Sequence, residues 1–204
     1  MTGGPQIRRV VTGHDDDGRA IILLDDIAPH TFRSDSIPGL GATVPWWTGP
    51  EAIDLVSDAD AAPAPGVVPS FASPGGTILR IADFPPDSSY PPDAGATIFA
   101  EIDDHGGHEG GERVQSARHF WFHRSESLDY AVVLEGEITL LVDEGEATLG
   151  PGDVVVQRAT NHSWSNRTDA NVRMLFVLIG TPPISPDRIA QARRESAVGV
   201  ETLA

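Results

Sequence analysis

The sequence contains no cysteine, which excludes disulfide bonds and thiolate chemistry and leaves the redox compartment open. Basic residues are scarce: 14 Lys and Arg stand against 30 Asp and Glu, so the formal net charge is −16. A surface this acidic repels phosphate backbones and anionic lipids, so neither nucleic acid nor a membrane is expected as a partner. Aromatic residues make up only 6%, yet 40% of all residues are hydrophobic, which indicates a globular chain.

Long hydrophobic runs are also missing. The most apolar stretch, residues 173–179, is too short to cross a bilayer and is typical of a buried strand. The first residues lack the apolar segment of a signal peptide, so we expect a cytoplasmic protein. A length of 204 residues fits one domain, 1–204, with a core of ordinary size.

Short apolar runs separated by tight turns dominate the second half of the chain. Glu135-Gly136, 143–145 and 150–153 carry the turn residues. β-branched runs at this spacing predict an antiparallel meander or barrel and not a parallel sheet with crossover helices. The predicted strands cover residues 130–134, 138–142, 146–149, 154–157 and 173–179.

The first half of the chain predicts fewer strands. Residues 8–12 and 20–24 read as a pair of strands, and 77–84 alternates clearly, with Ile78, Arg80, Ala82 and Phe84 on one side. The remaining segments are assigned as follows: 29–41 a loop, 43–48 a short apolar segment, 57–76 a Pro/Ala-rich surface excursion closing an N-terminal region 1–76, 97–102 a weaker strand, and 103–112 a Gly/His loop.

A helix is predicted near the end of the sequence. Ser185 is a suitable N-cap residue, and Pro186 suits the first helical position. We expect this helix to span residues 185–198 and to end at Gly199.

Two motifs in the second half resemble those of the cupin superfamily of small β-barrels. Counting back from Gly136 puts Asp129 at the carboxylate position, His123 at the first histidine position and Ser125 at the second. In the second motif, Gly150 opens the turn and His162 and Asn166 close the pattern, while Gln157 and Ala159 replace its usual Pro and Gly. The resemblance implies an all-β, cupin-type double-stranded β-helix, or jelly roll, with its core at residues 77–180.

The resemblance also implies a site inside the barrel. His123, Asp129 and His162 would form a two-His-one-carboxylate set that could hold iron, manganese, nickel or zinc. On a strand that includes residues 119–125, His119 and Trp121 would share the face of His123. His119 or Asp129 would then transfer protons, and a further set of side chains would contact substrate: Trp121, Ser125, Tyr130, Gln157, Trp164 and Asn166.

Alternatives remain open at this point. Ser125 is a poor ligand and Asp129 is one methylene shorter than Glu, so His123 and His162 could form a polar pair that holds no metal, with Asp129 orienting His123. The protein would then be a metal-free binding barrel used as a sensor or carrier. Otherwise it is a metal-dependent small-molecule enzyme of dioxygenase, decarboxylase, isomerase, lyase or cyclase type. As in many cupins, the N-terminal strands would join a homodimer or cover an edge of their own barrel.

Overall fold

Two antiparallel sheets form the body of the protein in a computed structural model. The structure describes residues 6–62, 69–91, 94–104, 111–113, 116 and 118–201. The strands are β1 Arg8–His14, β2 Ala20–Ile27, β3 Thr31–Arg33, β4 Gly41–Thr48, β5 Thr77–Phe84, β6 Gly111–Arg113, β7 His123–Ser125, β8 Ser127–Glu135, β9 Ile138–Val142, β10 Glu146–Leu149, β11 Val154–Arg158, β12 His162–Ser165 and β13 Val172–Gly180. The helices are α1 Ala94–Asp104 and α2 Pro186–Glu201, with a 3-10 turn at Asp87–Ser89.

The two sheets have different sizes and both are antiparallel. The larger has the order β11-β8-β13-β5-β4-β3, and the smaller has the order β10-β9-β12-β7-β6. This arrangement of short, paired strands confirms the predicted all-β jelly-roll barrel. The strands predicted at 77–84, 138–142 and 146–149 have the predicted bounds.

The core lies between the two sheets because strand alternation points one set of side chains inward. On β13, Val172, Met174, Phe176 and Leu178 are buried, while the residues between them are half-buried. Trp164 of β12 meets Phe176 edge to face, with 5.6 Å between the ring centroids, and so joins the smaller sheet to the larger one.

Three local predictions differ from the structure. Residues 97–102 belong to α1 and not to a strand, and β3 lies inside the segment predicted as a loop. The C-terminal helix starts as expected, because the Arg188 amide donates to Ser185 Oγ at 3.3 Å, but it continues past Gly199 to Glu201. His105 and His108 of the 103–112 loop and residues 63–68 of the excursion lie outside the described residues.

The N-terminal strands form a sheet of their own. β1 and β2 pair with each other and not with either barrel sheet. Arg9 anchors this hairpin: its guanidinium is buried and donates to Asp26, to Asp60 and to the Pro45 carbonyl. None of the described helices is long and apolar enough to cross a membrane.

Candidate functional site

The motif histidines meet where β7 and β12 pair. His123 and His162 are register partners, and their ring centroids lie 4.2 Å apart. His123 Nδ1 donates to the Trp121 carbonyl at 2.7 Å, and His162 Nδ1 donates to the Thr160 carbonyl at 3.0 Å. Because a carbonyl only accepts hydrogen bonds, each neutral ring carries its proton on Nδ1 and keeps the lone pair on Nε2.

Burial keeps both imidazoles neutral. It lowers the pKa of His123, and the positive charge of Arg80 acts in the same direction. Burial and the neighbouring His123 hold the pKa of His162 well below 6.5. Two neutral bases in contact inside a barrel can accept or donate protons, and their Nε2 lone pairs are suited to bind a metal.

Asp129 is inside the barrel, but its carboxylate already has hydrogen-bond partners. It accepts from Ser125 Oγ at 3.0 Å, from Gln157 Nε2 at 3.2 Å and from Ser127 Oγ. Burial raises its pKa, and the two serine hydroxyls oppose that rise. Ser125 and Gln157 therefore hold Asp129 in place, and the Nδ1 partner of His123 is a backbone carbonyl rather than this carboxylate.

The residues do not fit the three-ligand metal site implied by the motifs. In the parts of the chain that the structure describes, no group of three His, Cys, Asp or Glu side chains is arranged to hold an ion. His123 and His162 come together, but Asp129 is engaged by its three donors. Among the residues that the structure describes, the imidazoles of His123 and His162 are the nitrogen ligands brought together here.

His119 lies elsewhere, and the expectation that it shares the face of His123 is wrong. The strand begins only at His123, so alternation cannot be extended back to residue 119. His119 Nδ1 is 2.6 Å from Ser163 Oγ, and Nε2 is 3.5 Å from Asp87 Oδ1. Ser163 points away from the side of β12 that carries His162.

Tyr130 and Asn166 are also outside the expected pocket. Tyr130 is 39% exposed on the outer face of β8, because it alternates with the inward residues Asp129 and Ala131. Asn166 is buried, but its amide donates to the Phe84 and Ala170 carbonyls and accepts from Thr168. It holds a turn together and has no group left for a substrate.

The two predicted aromatic walls are in the core. Trp121 and Trp164 are both buried, and the Trp164 ring lies 6.0 Å from His162. Phe71, from the segment before β5, adds a ring 6.2 Å from His123. The imidazole pair therefore borders an apolar, aromatic environment.

Arg80 is the site residue that sequence reasoning missed. It points inward from β5, in register with Phe176, and its charge acts on both His123 and Asp129. The sequence did indicate that Arg80 is unusual, because it is the one charged residue on the strand face formed by Ile78, Arg80, Ala82 and Phe84.

The two antiparallel sheets and the paired imidazoles between them are the features of a cupin barrel. The family model for a cupin domain matches residues 109–178. Phomopsin biosynthesis cluster protein C' of Diaporthe leptostromiformis is 33% identical over 192 residues, which cover 90% of this chain and 85% of that protein. Cupin-domain-containing oxidoreductase fogC of Aspergillus ruber is 30% identical, with 88% and 75% covered. The chain belongs to the cupin superfamily.

A solved structure also aligns with most of the chain. A putative ethanolamine utilization protein from Salmonella typhimurium matches 88% of this chain and 100% of its own, with 14% identity and a TM-score of 0.39.

Proposed function

We propose that this cupin is an enzyme that acts on a small, partly apolar molecule inside the barrel. The proposal rests on the contact between His123 and His162, which lie next to Trp164 and Phe71. Burial lowers the pKa values of both histidines. A neutral imidazole can take a proton from a substrate held against these rings, and the aromatic side chains exclude water from the reaction.

The relatives support an enzyme of oxidoreductase type. Several are named as cupin-domain-containing oxidoreductases, and others as proteins of biosynthesis clusters. We therefore infer that the substrate is an intermediate of small-molecule biosynthesis.

Turnover is tested by incubating the protein with a small-molecule extract of its source organism and following masses over time. The parent should consume at least one compound that His123→Gln and His162→Gln leave unchanged, while His14→Gln, at an exposed position, should behave as the parent. If the parent and both core variants consume the compound equally, His123 and His162 do not take part in the reaction.

The metal form of the proposal is tested separately, by titration with iron, manganese, nickel and zinc. An ion would bind His123 and His162, and Asp129 would have to exchange its three hydrogen bonds for the ion. Micromolar binding that is lost in His123→Ala and in His162→Ala would support the metal form. If the parent binds none of the four ions, or the variants bind as tightly as the parent, the metal form is wrong.

The metal-free alternative is a binding barrel without catalysis. The three hydrogen bonds to Asp129 favour it, because an ion or a proton transfer would compete with donors that already hold this carboxylate. Binding of a compound from the extract without any change in its mass would support this alternative. The cytoplasmic location, and the lack of nucleic-acid or membrane partners, stay predictions from the sequence.

A further inference from the structure

Arg80 is a cation built into the interior of the barrel. It lies on β5 between the buried Ile78 and Ala82, and its register partner across the sheet is Phe176 of β13. The side chain is half-buried. Desolvation by the surrounding protein lowers the pKa of Arg80 to about 10. The guanidinium is therefore still charged at neutral pH.

The hydrogen bonds of Arg80 go to backbone carbonyls, which bring no negative charge to it. Nη2 donates to the carbonyls of Pro69, at 3.0 Å, and Ser70. Nε is buried and has no partner. No Asp or Glu of the described chain forms an ion pair with Arg80. The charge of Asp129 acts on Arg80, but the hydrogen bonds of this carboxylate come from two serines and a glutamine.

A buried guanidinium is costly, and Asp129 offsets this cost only through its charge, because it forms no ion pair with Arg80 among the described residues. Backbone carbonyls fix the position of this side chain without neutralising it. A ligand that brings its own negative charge would offset the cost and use the Nε donor.

We propose that Arg80 binds the carboxylate of a small organic acid whose apolar body packs among the barrel aromatics beside His123 and His162. This deepens the proposed function and rests on it, because it names the chemical class of the molecule held in the barrel. A single planar guanidinium whose charge reaches the neutral imidazole of His123 matches a monoanion better than a phosphate dianion, which calls for more positive charge.

The test compares a carboxylate with its uncharged amide. Phenylacetate and phenylacetamide are titrated into the parent by calorimetry, with phenyl phosphate as the competing anion. The parent should bind phenylacetate about 10-fold or more tightly than the amide, and more tightly than phenyl phosphate. Equal binding of acid and amide, or tighter binding of phenyl phosphate, would overturn the carboxylate assignment.

Variants assign the effect to Arg80. Arg80→Met should lose the preference for the acid, Arg80→Lys should keep a reduced preference, and Arg158→Met, at an exposed position on β11, should bind as the parent. If Arg80→Met does not fold, the preference for the acid is compared between the parent and Arg80→Lys alone. An Arg80→Lys variant that binds the acid as the parent does would contradict recognition by the guanidinium fork.

Histidine-selective NMR separates this inference from the proposed function. If both ligands shift the His123 and His162 signals equally and bind equally well, the carboxylate assignment fails and the barrel site stands. If neither ligand shifts those signals, the carboxylate assignment fails, and the extract experiment alone decides the proposed function.

Discussion

At the scale of single residues, His123 and His162 link the site to stability. The folded protein keeps His162 neutral at pH values where an unfolded chain, with a pKa near 6.5, would protonate it. The unfolded state then binds more protons, so the free energy of unfolding falls as the pH drops below about 6.5.

Replacing one of these histidines should weaken that pH dependence. For His162→Gln we expect the slope of the unfolding free energy between about pH 5 and 6.5 to decrease by up to ~1.4 kcal/mol per pH unit. Urea unfolding of the parent, His162→Gln and the exposed control His14→Gln at several pH values measures it. Identical slopes in the parent and His162→Gln would show that burial does not hold this imidazole neutral.

The site residues show what sequence can predict at this scale. The motifs predict that His123 and His162 share the barrel interior, and in the structure they are register partners on the neighbouring strands β7 and β12. His119 was misplaced because alternation holds only inside a strand, and β7 begins at His123. The hydrogen bonds that hold Asp129 could not be predicted, because one of them comes from Gln157 of β11, 28 residues further along the chain.

At the scale of elements, α1 shows tertiary contacts overriding local preference. Thr97 and Ile98 favour strands, but the segment forms a helix that buries Ile98 completely and Ala94 almost completely. Ser34 Oγ donates to Glu101 at 2.6 Å and connects the helix to the segment after β3. Short-range pattern could not reveal this docking, because the contact partners lie far away in the chain.

The docking of α1 can be measured with a pair of neighbouring substitutions. Ile98→Ala should lower the free energy of unfolding by about 2–5 kcal/mol, because it leaves a cavity against the core. Thr97→Ala, on the exposed side of the same helix, should change it by no more than about 0.5 kcal/mol. Chemical denaturation compares them, and equal small effects would mean that α1 does not pack as described.

At the scale of the whole molecule, the β1–β2 hairpin exposes apolar side chains, and neither of the described barrel sheets pairs with it. Val10, Ile22 and Ile27 share one face and are 49%, 59% and 46% exposed. An isolated two-stranded hairpin is only marginally stable in water. The edge strand β11 also exposes Val154 and Val156, at 60% and 57%.

We propose that these surfaces meet across a homodimer, in which the hairpin of one copy covers the edge strand β11 of the other. Light scattering at micromolar concentration should give twice the chain mass of 21.7 kDa. Ile22→Asn combined with Ile27→Asn should shift the mass toward the monomer, whereas Ile53→Asn, in an exposed loop, should not. A monomeric parent would rule the dimer out.

Two neutral imidazoles inside the barrel form the site of the proposed enzyme. Nitrogen-detected NMR of histidine-labelled protein reads the protonation of each ring directly. We expect His123 and His162 to be neutral at pH 7 with the proton on Nδ1, and both signals to shift when the compound consumed in the extract is added. Protonated rings at pH 7, protons on Nε2, or signals that ignore that compound would contradict it.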